Sequence, residues 1–268
     1  MSGIFYPESG KAVARQLAAW NVQDGSESFP RGGQVIIAPH AAWEISGAAS
    51  AAAFAAVQAH PAADSPAGRV FLIGPCHSPG ESGIYLSESD AFQTPLGDLP
   101  VDRRINGELR AAAFPFVEEN DLFHLAEHSL EVLLPMVKYC FPAAHIVPIL
   151  VQGGADALKP ALSKVFNIIF KYMDESLLVI SSNAAASKDP AHALSMADGF
   201  SSLLHNRNSG AFRAGLDEGR ISACGGSIIA ALLDSGLLGN KRFSALLPLS
   251  GHTGDDGQTV CYGAFTAL

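Results

Sequence analysis

Two apolar runs in this chain end in histidine. "QVIIAPHAAW" (34–43) and "RVFLIGPCHSPG" (69–80) each leave a Val, Ile and Leu stretch through a proline and reach an imidazole, His40 and His77. Neutral imidazole is a common ligand of zinc, copper and iron, and two rings on adjacent strand ends could share one ion. Alone, each reads as a hydrogen-bonded loop histidine; the paired placement is what raises the metal reading. A third donor has to come from elsewhere. Cys224, in "RISACGGSIIAALL" (221–233 with Arg220 before it), precedes a predicted helix whose unpaired N–H groups favour thiolate. Cys76 touches His77 in sequence, but neighbours on an extended segment point to opposite sides, so it ranks below Cys224, as a pocket residue.

Further candidates flank these. "AEHSLEVLLPM" (126–136) reads as a helix opening with Glu127, His128 and Glu131. Glu127 and Glu131 stand one turn apart on a shared face and suit the positive end of a helix. His128 is turned by about 100° from Glu127 and is the candidate general acid or base. In "SGHTGDDGQTV" (250–260), His252, Asp255 and Asp256 read first as turn residues, with His252 also placed in the pocket wall. Their spacing matches no calcium loop.

The elements that must carry these residues follow from periodicity. Short, continuous Val/Ile/Leu runs predict strands at 35–38, 70–73, 146–151, 177–181 and 243–249, of the kind covered on both faces in a parallel sheet. Helical patterns fall at 10–20, 44–58, 103–113, 127–140, 155–172, 190–204 and 226–233. Segments 84–86 and 259–266 add antiparallel strands, which makes the sheet mixed. The expectation is an α/β three-layer sandwich, helices on both faces of a mostly parallel, mixed central sheet, in a single domain over residues 1–268. Segments 58–68 and 223–227 read as ordinary connections. In such a sheet, ligands bind outside the carboxyl ends of the strands, where His40 and His77 lie.

Composition narrows the function. The chain has 268 residues, 48% of them hydrophobic, and a formal net charge of -9, which argues against nucleic acid or anionic membrane as a partner. Four scattered cysteines without a CxxC pair suggest neither a disulfide framework nor a zinc ribbon, and fit a reducing, cytoplasmic setting. The N-terminal stretch carries no secretory pattern, and the alanine-rich tract 45–63 is interrupted by polar residues and a proline. There is no GxxxxGK[ST] phosphate cradle, no GxGxxG after a strand and no GxSxG elbow, so nucleotide binding and serine hydrolysis are unsupported.

An ordered set of motifs resembles the Memo family, which in bacteria includes AmmeMemoRadiSam system protein B. It runs over nearly the whole chain: "IFYP" (4–7), "PHAAWEISG" (39–47), "FLIGPCHS" (71–78), "TPLGDLPVD" (94–102), "EHSLEVLLP" (127–135), "IVPILV" (146–151), "VISSN" (179–183), "CGGSII" (224–229) and "YGAF" (262–265). The resemblance implies a fold like that of class III extradiol ring-cleaving dioxygenases. It implies one transition metal ion, iron or copper with zinc also suited to the donors, held by His40, His77 and Cys224, with Glu127, His128, Ser129 and Glu131 lining the pocket. Two departures stand out. Asn183 stands where the family usually carries aspartate and Ala186 lies near its expected histidine, and Ala42 and Trp43 occupy positions where the first motif usually has glycine and tyrosine, which places Trp43 in the pocket wall. The leading expectation is a dioxygenase-like, metal-dependent oxidoreductase acting on a small-molecule or peptide ligand in the crevice. The rival is a non-catalytic binding or scaffold protein that keeps the fold.

Overall fold

The computed structural model describes residues 1–22, 34–58 and 68–267. In chain order the strands are β1 (Gln34–Ala38), β2 (Arg69–Pro75), β3 (Gly83–Leu86), β4 (Ala91–Phe92), β5 (Leu99–Pro100), β6 (Val117–Glu119) and β7 (His145–Gln152). They continue with β8 (Ser176–Ser181), β9 (Ala185–Ser187), β10 (Phe243–Ala245), β11 (Ser250–Thr253), β12 (Thr259–Tyr262) and β13 (Phe265–Ala267). The helices are α1 (Gly10–Ala19), α2 (Ala48–Gln58), α3 (Arg103–Ala113), α4 (Asp121–Ala126), α5 (Leu134–Cys140), α6 (Ala155–Lys171), α7 (Pro190–Asn206), α8 (Ser209–Asp217) and α9 (Gly226–Ser235).

Eight strands form one sheet in the order β10-β13-β1-β8-β2-β7-β3-β6. Its middle, β1, β8, β2 and β7, is parallel. Antiparallel pairs lie outside it, β13 with β1 and β10 on one side and β3 with β7 on the other. Alternate side chains feed two separate apolar layers, as the two-residue period of a strand requires. Val35, Ile37, Phe71, Ile73, Val147, Ile149, Leu178 and Ile180 pack on one face with residues of α3, α6, α7, α8 and α9. Ile36, Ala38, Val70, Leu72, Ile146, Leu150, Leu177 and Val179 pack on the other with residues of α1, α2 and α5. The result is the α/β sandwich with a mixed, mostly parallel central sheet.

Local chemistry sets several helix ends. Asp102 caps α3 by accepting from the Ile105 amide and also pairs with Arg69, and Asp189 caps α7 just ahead of Pro190. Asn120 caps α4.

Four expectations need correction. β1 and β2 are not adjacent, because β8 runs between them and pairs with both. Residues 127–140 do not form one helix: α4 ends at Ala126, Glu127 is extended with φ -96 and ψ 132, a 3-10 turn covers Glu131–Leu133, and α5 starts only at Leu134. The Glu127 carboxylate accepts from the Ser129 amide instead of the chain coiling there, and Pro135 suits the first turn of a helix better than its interior. Segment 259–266 splits into β12, in a small sheet with β9 and β11, and β13, in the main sheet. The strand at 243–249 stops at Ala245. Residues 43–47 are a π turn leading into α2, and α4 and α8 had no counterpart in the sequence pattern. The connection at 58–68 and the end of tract 45–63 fall outside the described residues, apart from Gln58 and Gly68 for the connection.

Candidate metal centre

The parallel strands β1, β8 and β2 end side by side, and the segments that follow them build the site. His40 stands two residues past β1 and His77 two residues past β2. Strands sit about 4.8 Å apart, so the intervening β8 separates their backbones by roughly twice that. The side chains close the gap, with ring centroids 5.3 Å apart. From the far side, Cys224 arrives in the turn before α9. Gly225 makes that approach possible: a Cβ there would meet Ser182 Cβ at 2.7 Å and the Ser181 carbonyl oxygen at 2.8 Å. One nitrogen from each of His40 and His77 and the Cys224 sulfur lie within 4.8 Å of one another.

Each donor is oriented by a second contact. His40 is buried, at 1% exposure, and its Nδ1 lies 2.7 Å from Ser181 Oγ. That hydroxyl donates to the Ser129 carbonyl at 2.6 Å, so it accepts from His40 Nδ1–H and leaves Nε2 facing Cys224. His40 Nε2 lies 3.3 Å from Cys224 Sγ. His77 Nδ1 contacts Glu127 Oε1 at 2.9 Å, its backbone amide donates to Glu127 Oε2, and its Nε2 is thereby left for the shared centre. The Asn183 amide donates to Cys224 Sγ at 3.0 Å, while Asn183 Oδ1 accepts from the His40 amide at 3.1 Å.

The electrostatics follow from these contacts. Burial opposes ionisation of Cys224, but the charge and hydrogen bond of His40, with help from His77 and the Asn183 amide, bring the thiol down to about 5. Hydrogen bonds to Cys224 and Glu127 push His77 up to about 10 against the effect of burial. Burial also opposes ionisation of Glu127, yet the ring and amide of His77 and the Ser129 amide hold it at about 2. His128 is held at about 4 by burial, with the neighbouring His40 and His77 adding to the effect, so its ring is neutral at pH 7. It stacks between His77, at 5.0 Å, and Phe5, at 5.1 Å.

The remaining candidates are distributed as follows. Glu131 does not share a role with Glu127: it accepts from the Tyr6 hydroxyl at 2.5 Å. Both carboxylates help to wall a cleft of about 320 Å³, with Ser89, Phe92, His124 and Leu125. Trp43 is buried and donates from Nε1 to the Val132 carbonyl at 2.9 Å, and it borders a different cleft of about 280 Å³. Cys76 packs partly buried against the core, outside the donor cluster, and burial raises its thiol. His252 is exposed on β11, paired in register with Val260, and is not in the donor cluster. Asp255 and Asp256 occupy the exposed turn after it, where Asp256 accepts from the Gln258 amide. Ala186 is a strand residue bonded through its backbone to Ser222. Sequence reasoning did not single out Ser181, Phe5 or Tyr6. The signals for Ser181 are its place at the end of an apolar strand and within the VISSN motif, and the N-terminal pair gave none beyond its motif.

Comparison with known proteins identifies the family. Residues 1–266 match the family model described as "Memo: Memo-like protein". The chain belongs to the Memo family. It is 34% identical over 189 residues to the Caenorhabditis elegans protein memo-1 homolog, covering 68% of this chain and 50% of that protein. It is 33% identical over 188 residues to Xenopus laevis MEMO1, covering 68% of this chain and 60% of the relative. The aligned part thus spans only about half to three-fifths of those animal proteins. A MEMO1 family protein of the archaeon Sulfurisphaera tokodaii is 26% identical over 275 residues, 97% of this chain and 94% of the relative. Among solved structures, an uncharacterized protein, JW3007 of Escherichia coli K12, aligns with a TM-score of 0.48 and 12% identity, covering 88% of this chain and 99% of that one. Among the described residues, no helix is long and apolar enough to cross a membrane.

Proposed function

We propose that this Memo-family chain binds one transition metal ion through His40 Nε2, His77 Nε2 and Cys224 Sγ, and works as a metal-dependent oxidoreductase on a small-molecule or peptide ligand. The observation that carries the reading is the convergence of two imidazole nitrogens and one sulfur within 4.8 Å, delivered by three distant parts of the chain. The donor chemistry fits an ion: Ser181 and Glu127 hold the Nδ1 of each ring, which turns both Nε2 atoms toward Cys224, and the sulfur is kept as thiolate by His40 and a backbone N–H. A carboxylate or hydroxyl behind a ligating histidine is the usual way a protein aims the ring. Thiolate with imidazole suits copper(I), iron or zinc, not magnesium or calcium. Three protein donors leave a coordination position for an exogenous ligand, and a redox-active ion there would supply electron transfer.

The chain's own residues have defined tasks. Ser181 and Glu127 orient the ligand rings. His128, neutral at pH 7 and 3.2 Å from Glu127 through Nδ1, is the group able to accept or return a proton beside the centre. Four free cysteines, among them the ligand itself, suit a reducing cytoplasmic location.

Metal analysis of protein purified without added metal, repeated on His40→Ala and Cys224→Ala, tests the binding claim. Stoichiometric metal that falls by one equivalent in each variant is the expected result. Trace metal indifferent to either change would defeat it and leave the binding or scaffold reading, which the loss of side-chain donors at Ala186 favours. Oxygen consumption with catechols or reduced copper tests turnover.

A further inference from the structure

His77 belongs to two donor sets at once. With His40 and Cys224 it makes the sulfur-containing group described above; with Glu127 and His128 it makes a second group whose ligand atoms also lie within 4.8 Å of one another. In the second set, His77 Nδ1 lies 2.9 Å and His128 Nδ1 3.2 Å from the same oxygen, Glu127 Oε1. The two sets use opposite nitrogens of one ring, because Nδ1 faces Glu127 and only Nε2 is left for the cysteine side. We propose that His77, Glu127 and His128 form a second cation position, bridged to the first through the His77 ring.

Three features favour this. The donor set is two imidazoles and one carboxylate, which holds divalent first-row ions such as iron(II) without sulfur. Glu127 is buried, its side chain 1% exposed, and among the described residues it forms ion pairs with these two histidines. A buried carboxylate is ordinarily paired with a cation or bound to a metal. Finally, the His77 and His128 side chains are 39% and 30% exposed, so solvent reaches the position and water can complete the coordination. Binding of the second ion displaces one proton from His77 Nδ1 to solvent. The ring then carries an ion on each nitrogen, and no electron is transferred. His128 is consequently a proton acceptor with one ion bound and a ligand with two.

Cobalt(II) titration of the metal-free, reduced full chain tests this, read by absorption and by metal analysis after gel filtration. The wild type should take two equivalents. The first should bring a thiolate-to-cobalt charge-transfer band, and the second only ligand-field absorption that excess zinc removes. His128→Phe keeps the stack on Phe5 and His77 but has no nitrogen; it should stop at one equivalent with the charge-transfer band intact. Cys224→Ser should lose that band and retain the equivalent that depends on His128. Saturation of the wild type at one equivalent, or a second equivalent that persists in His128→Phe, overturns the proposal. A first equivalent without a charge-transfer band would instead contradict the cysteine-containing site of the proposed function, and the second position would still be judged by its dependence on His128.

Discussion

Glu127→Gln is the most informative single change, because it alters one charge and almost no volume. The native carboxylate takes three N–H groups on two oxygens: the His77 ring and the Ser129 amide on Oε1, and the His77 amide on Oε2. Glutamine offers one acceptor oxygen and turns its NH2 toward the remaining donors. If the amide oxygen replaces Oε2, His77 Nδ1–H loses its acceptor; in the other orientation the His77 backbone shifts. Either way at least one hydrogen bond to a charged group is lost at a buried site, about 1.5–3 kcal/mol. Loss of a partner behind a metal-ligating histidine typically weakens binding by about 10–100-fold, which is the same range expressed as affinity. The assay is competition against a chromophoric chelator for zinc at neutral pH, on protein whose fold is verified by circular dichroism. Unchanged affinity in the variant would show that Glu127 does not position His77, and the orientation argument would fall.

Other expectations follow from the same contacts. In metal-free protein, alkylation of Cys224 should titrate near pH 5, whereas Cys76 and Cys261, whose thiols burial raises, should react only at higher pH; bound metal should protect Cys224. Mass-spectrometric mapping of the alkylated sites against pH reads this out. Glu127 ionises far below the usual carboxylate range, so its contribution to stability is fully present above about 4.5 and disappears as the pH falls through about 2; denaturant titrations of the metal-free chain across that window should show the loss in the wild type and a smaller one in Glu127→Gln. Gly225→Ala should cost about 1–3 kcal/mol by overpacking and also weaken metal binding, because the new Cβ pushes the Cys224 turn away from β8. Trp43→Phe should cost about 1–3 kcal/mol in chemical denaturation, since it leaves the Val132 carbonyl without its donor, while metal stoichiometry stays the same.

The sheet was legible where burial on both faces writes continuous apolar strings, as in β1, β2, β7 and β8, and the histidines were legible because they interrupt such strings at a strand end. Strand order was not, since nothing local to residues 34–38 or 69–75 announces that a segment more than a hundred positions away will lie between them. The 127–140 stretch misled because its apolar spacing is helical while the Glu127 side chain, drawn to His77 and Ser129, holds the backbone extended. Asn183 read from sequence as a departure from the family pattern. In three dimensions it joins two donors, since its side chain anchors the His40 amide and its own amide meets the Cys224 sulfur. Phe5 and Tyr6 reach the site through contacts more than a hundred residues apart, which no short window can reveal.

The strand wedged between the two histidine-bearing strands acts as a gauge block. Its width fixes how far the imidazoles must reach, and its terminal hydroxyl decides which nitrogen of His40 faces inward. Repacking deep in the sheet, at residues far from the cluster, would therefore reset how far the two rings stand from each other and from the Cys224 sulfur.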